Sequence, residues 1–66
     1  MVFRFKATLH YFYKNKEFTI TDIYRIPLYY SLDYIHEYIK HDLMLVAGGG
    51  YSTDNVKVID FEIKQV

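Results

Sequence analysis

One segment, Ser31 to Ala47, repeats its apolar residues with the period of a helix, and the stretches on either side alternate with the period of a strand. That contrast restricts the chain to a mixed architecture, one helix laid on a sheet. A helix is predicted over residues 31–46. Ser31 is a good N-cap, because its hydroxyl can accept from a backbone N–H in the first turn. Asp33 sits in that turn, where the helix dipole favours a carboxylate. Leu32, Ile35, Ile39, Leu43 and Val46 form an apolar stripe, with Asp33, Glu37, Lys40 and Met44 roughly opposite. Tyr34, Tyr38 and Leu45 flank the stripe. The simpler reading is that they widen the core-facing side, since tyrosines often bury the ring and leave the hydroxyl wet. Contact with a partner is the alternative. Gly48, Gly49 and Gly50 supply a left-handed stop. Asp42 is awkward beside the stripe. If the helix instead ended near His41, residues 43–47 would be a further strand and the order ββαββ.

Residues 2–13 alternate cleanly. Phe3, Phe5, Ala7, Leu9, Tyr11 and Tyr13 share one face, and Val2, Arg4, Lys6, Thr8, His10 and Phe12 share the other. Lys14 to Glu17 breaks the pattern and reads as a hairpin tip, with Asn15 and Lys16 as the two-residue loop. The returning strand is predicted over 18–26. In that register Tyr13 faces Phe18, Tyr11 faces Ile20, Ala7 faces Tyr24 and Phe5 faces Ile26. It also sets Asp22 opposite Leu9 on the buried face. A buried carboxylate without a partner is costly, so a bulge or an open edge is expected there. Pro27 cannot donate to a ladder and ends the strand. Leu28, Tyr29 and Tyr30 then lead to the cap, one of them packing back as a staple.

The last strand is predicted over 56–65, with Ile59, Phe61 and Ile63 on one face and Val58, Asp60, Glu62 and Lys64 on the other. A crossover through the helix would lay it parallel to the first strand, which becomes central. Asp60 and Glu62 would then stand beside Arg4 and Lys6, a favourable charge match. The expected fold is a single small α+β domain over residues 1–66, a β-β-α-β three-stranded sheet with strand 1 central and one helix on one face. In the order and lengths of its elements the whole chain resembles a minimal ubiquitin-like β-grasp sheet. Likeness at that level implies a fold and says little about activity. An all-antiparallel sheet is the alternative topology.

At 66 residues the chain has one small core and is marginal as a monomer. No cysteine can staple it, while eight Tyr and five Phe compensate in part. A homodimer sharing part of the core is therefore expected. Formal net charge is zero, without the basic excess of a generic nucleic-acid binder. No apolar run approaches the length of a membrane span, and the first residues do not open a signal peptide. The expectation is a soluble, cytoplasmic protein, in the host cytoplasm if phage-encoded.

Chemistry finds little support in these residues. His36 and His41 are five apart, not the four that lets two histidines share a metal, and His10 is distant. Glu37 and His41 can pair along the helix. Ser31 is a cap, and no Gly-x-Ser-x-Gly elbow exists. The three glycines follow a helix, whereas phosphate loops precede one. No metal, cofactor or catalytic residue is expected, and the chain reads as a non-enzyme. What remains is an interaction module. Tyrosines anchor many protein interfaces, and the supply here exceeds what one small core hides. Tyr24, Tyr29, Tyr30, Tyr34, Tyr38 and Tyr51 are the candidate protein contact. The uncharged edge of strand 2, with Thr19, Thr21 and Ile23, could accept a partner strand.

The function expected is association with a protein, of the accessory or inhibitory kind that small aromatic-rich phage and mobile-element proteins often have. The alternative is a nucleic-acid module using the outer sheet face, with Arg4, Lys6, His10, Phe12 and Arg25. A structural subunit of a larger assembly is the third reading.

Overall fold

The computed structural model describes residues 2–27, 29–50 and 53–66. Strand β1 (Val2–Tyr13) turns into β2 (Lys16–Pro27), helix α1 (Leu32–Ala47) follows, and β3 (Val56–Gln65) closes the chain. The sheet order is β2-β1-β3, so β1 is central. Both neighbours run antiparallel to it. The helix packs on one face of the sheet, and the fold is α+β.

The direction of β3 corrects the parallel arrangement expected from the crossover and yields the all-antiparallel alternative. A helical crossover returns the chain in the direction of the strand it left. That strand is β2, which already runs against β1. So β3 is parallel to β2 and antiparallel to the β1 strand between them. The parallel pairing of first and last strands that a β-grasp sheet implies is absent.

The hairpin register is also corrected. The two loop residues are Lys14 and Asn15, with φ of 51° and 66°. Two positive φ values are what a type I′ turn requires, and its twist suits the flanking strands. Tyr13 therefore faces Lys16, Tyr11 faces Phe18, Leu9 faces Ile20, Ala7 faces Asp22, Phe5 faces Tyr24 and Phe3 faces Ile26. A shift of two residues keeps every side chain on its expected face while changing its partner. Asp22 stays on the helix side but lies on the outer strand, is exposed, and accepts from the Ile23 N–H at 2.8 Å. The open-edge reading of Asp22 holds. The sheet's register shift is elsewhere, in β3: Tyr11 pairs with Val58 and His10 with Asp60, leaving Ile59 as an extra residue. Val58 thus lies opposite helix-side Tyr11, not on the outer face.

The core draws Phe5, Ala7, Leu9 and Tyr11 from β1, Ile26 from β2, Val56 from β3, and Ile35, Ile39 and Leu43 from α1. Only the middle of the helical stripe is buried. Leu32 and Val46, at its two ends, are 73% and 55% exposed. Met44, assigned to the polar side, packs against the core. Phe18 stays 43% exposed although it faces the helix side, its ring stacked on Tyr11 at 5.6 Å.

The helix begins as expected: Ser31 Oγ accepts from the Tyr34 N–H at 3.2 Å. It continues to Ala47, so residues 43–47 are helix and the ββαββ alternative is set aside. Gly48 stays at φ −85°, and the left-handed step falls on Gly49 and Gly50, at φ 84° and 86°. The Gly50 N–H donates to the Leu45 carbonyl at 2.7 Å and closes the last turn.

Candidate functional site

Pro27 ends β2 and Ser31 caps α1, so Tyr29 and Tyr30 fall in the corner between them. Tyr30, Tyr34 and Tyr38 then follow at steps of four, the spacing that brings side chains into one column along a helix. The rings contact one another in series, with Tyr29 tilted by 43° on Tyr30 and the rest stacked. Centroids lie 4.7 Å apart for Tyr29–Tyr30, 4.8 Å for Tyr30–Tyr34 and 6.2 Å for Tyr34–Tyr38. The last two pairs are within 19° of parallel. All four rings face solvent, at 80%, 39%, 51% and 49% exposure in chain order. The core-widening reading of Tyr34 and Tyr38 is therefore replaced by an exposed aromatic ridge.

A groove runs on each side of the ridge. One, of about 230 Å³, lies toward β2 and is lined by Arg25, Ile26, Pro27, Tyr30, Tyr34, Ile35 and Tyr38. The other, of about 510 Å³, opens toward Glu37, His41, Asp42 and Leu45. Both are shallow, so the relief is a ridge between two troughs and not an enclosed pocket.

Tyr24 fixes the helix side of this surface to the sheet. Its hydroxyl donates to Asp42 Oδ2 at 2.6 Å. Partial burial, first, pushes the Tyr24 hydroxyl far above its ordinary value of 10.0, and the hydrogen bond to Asp42 and the nearby charges of Asp42 and Asp22 push the same way. This contact also explains Asp42, which the helical pattern left without a role. Tyr30 is raised as well, through its hydrogen bond with Tyr29 first. Of the candidate protein-contact residues, Tyr24, Tyr29, Tyr30, Tyr34 and Tyr38 are brought together, and Tyr51 lies outside the described residues.

The nucleic-acid candidates divide. Arg4, Lys6 and Arg25 lie at one end of the outer face, all exposed. His10 and Phe12 lie toward the hairpin, and His10 Nε2 is 3.6 Å from Glu17 Oε1. The structure adds Lys64, directly opposite Lys6. The expected neutralisation is corrected: Glu62 pairs with Thr8 and Asp60 with His10, not with Arg4 and Lys6. Lys64 escaped the sequence reading because its neighbour depends on the direction of β3.

His36 packs edge-on against Phe61, with centroids 5.0 Å apart, and its Nδ1 is 3.8 Å from Glu37 Oε1. Glu37, placed to reach His41, thus lies beside His36 instead. Among the described residues no three His, Cys, Asp or Glu side chains converge as metal ligands do, and no helix is long and apolar enough to cross a membrane. No family model matches the chain, and neither a curated protein nor a solved structure shows significant similarity to it.

Proposed function

We propose that the chain is a non-catalytic protein-binding module whose contact surface is the tyrosine ridge. The observation that carries this is the continuous series of ring contacts from Tyr29 to Tyr38, stacked from Tyr30 onward, four exposed rings already ordered against one another. Aromatic side chains bury large areas with few rotatable bonds, and rings that are already stacked lose less freedom when a partner covers them. Tyrosine is among the residues that dominate interface energetics. The flanking troughs offer recesses for partner side chains, and the β2 edge beside Arg25 extends the surface.

An accessory or inhibitory role of the phage or mobile-element kind, exercised in the cytoplasm, belongs to the same proposal, as does self-association through the ridge. The test is Tyr34→Ala combined with Tyr38→Ala. The variant is expected to keep the wild-type circular dichroism and unfolding midpoint while losing self-association in sedimentation, or losing the protein that wild type retains in affinity capture. A variant that unfolds would make the two rings structural and remove the proposal's main support. A folded variant with unchanged associations would overturn it.

A further inference from the structure

The antiparallel register of β3 sorts the charges of the outer face along the strands. At one end Arg4 stands directly opposite Arg25, and Lys6 directly opposite Lys64. Beyond them carboxylates enter the face, with Glu62 opposite Thr8, Asp60 opposite His10, and Glu17 and Lys57 on either side of Phe12. Four of the eight Lys and Arg residues of a chain with zero net charge thus occupy one patch. Among the described residues none of these four has a carboxylate at ion-pair distance. Carboxylates elsewhere lie beside imidazoles, in the contacts His10–Glu17 and His36–Glu37.

Like charges directly opposite on neighbouring strands destabilise a sheet, and this sheet carries two such pairs side by side. Neighbouring strands lie about 4.8 Å apart and same-face neighbours along a strand about 6.7 Å apart, so the four cations fall within roughly one nanometre. An anion with several charges at that spacing would offset the repulsion. A second copy stacked face to face would have to bury all of these charges together with Glu17, Asp60 and Glu62, which costs more than it returns. A solvated polyanion leaves them wet.

We propose that Arg4, Lys6, Arg25 and Lys64 form a binding site for the phosphate backbone of a nucleic acid. The site works by charge and not by base stacking. Phe12, the one aromatic on this face among the described residues, lies at the opposite end of β1. Contact is therefore independent of sequence and confined to the basic end, with Glu62 and Asp60 repelling a strand that strays toward the hairpin. The site shares Arg25 with the groove beside the tyrosine ridge, whereas Arg4, Lys6 and Lys64 do not line that groove, so variants of those three and of the ridge tyrosines test the two surfaces independently.

The experiment is fluorescence anisotropy of a labelled DNA duplex between about 50 and 200 mM salt. With four phosphate contacts, the slope of log K against log salt is expected near −3.6, from about −0.9 per contact. Arg4→Ala with Lys64→Ala is expected to halve that slope and weaken binding roughly 60-fold at about 0.1 M salt. Lys14→Ala with Lys16→Ala removes the same net charge at the hairpin and is expected to leave binding unchanged. Circular dichroism confirms that each variant folds, and Tyr34→Ala with Tyr38→Ala retains binding. The proposal is overturned by undetectable binding at about 50 mM salt, by equal losses in the two double-cation variants, or by polyglutamate displacing the labelled duplex from the protein as strongly as unlabelled duplex does. That last result would mean an acidic protein surface is the ligand.

Discussion

The Tyr24 hydroxyl donates to Asp42 at 2.6 Å and so ties the edge strand β2 to the middle of the helix. It joins residues far apart in the chain across the open side of the sheet, beside the tyrosine ridge. The pair gives the fold an alkaline sensitivity whose sign is fixed. Folding raises the Tyr24 hydroxyl above its ordinary value of 10.0, through burial first and then the bond to Asp42. The folded state thus favours the neutral phenol. Its contribution is complete below pH 10.0 and drains away as pH rises beyond it. Tyr24→Phe is expected to cost about 1 kcal/mol near neutral pH and to flatten the loss of stability above about pH 10. Urea unfolding across that range checks both. A variant as alkali-sensitive as wild type would show that other groups govern the transition. Tyr30, raised in the same direction, leaves some dependence in place.

The helical stripe predicts its own gradient. Leu43 is fully buried and Leu32 is 73% exposed, although both lie on the apolar side. Leu43→Ala is expected to cost roughly 2–5 kcal/mol, much of the stability of a domain this size. Leu32→Ala should change stability by less than about 0.5 kcal/mol. Denaturant midpoints of the two variants, measured side by side, decide the matter.

The hairpin holds a correctable strain. Lys14 and Asn15 both sit at positive φ, where a side chain other than glycine costs roughly 1–2 kcal/mol, less for Asn. Lys14→Asn with Asn15→Gly creates the preferred type I′ pair. The gain is expected to be about 1 kcal/mol, a rise of roughly 4–8 °C in Tm. Scanning calorimetry measures it. A fall in Tm would place the loop on residues other than 14 and 15.

Gly49 and Gly50 predict a loss of similar size. Each sits at positive φ, and an added Cβ would meet no atom within 4 Å. Any cost of Gly49→Ala or Gly50→Ala is therefore backbone strain, about 1–2 kcal/mol each, and not a clash. Gly48→Ala, at φ −85°, should cost less. Thermal melts of the three single variants give the ranking.

The sequence by itself determined the kind and number of elements and which residues share a face. Alternation over β1, the 3.6 period from Leu32 to Leu43, the stop at Pro27 and the cap at Ser31 are local signals, each written in neighbouring residues. The spacing of four that sets Tyr34 and Tyr38 on one helix flank is local too, but their exposure is not, and the simpler reading of the sequence places them against the core. Pairing was not legible. A two-residue slip of the hairpin leaves every face unchanged, so no pattern of apolar residues can detect it; the φ angles of Lys14 and Asn15 settled it. The direction of β3 depends on which strand precedes the helix, a long-range relation, and the extra residue Ile59 reverses part of the alternation within β3. Those pairings decided that Lys64 joins Arg4, Lys6 and Arg25, and the packing of the helix on the sheet decided that Asp42 meets Tyr24. Faces follow from periodicity within a segment; neighbours across strands follow from contacts between segments, which only the tertiary structure supplies.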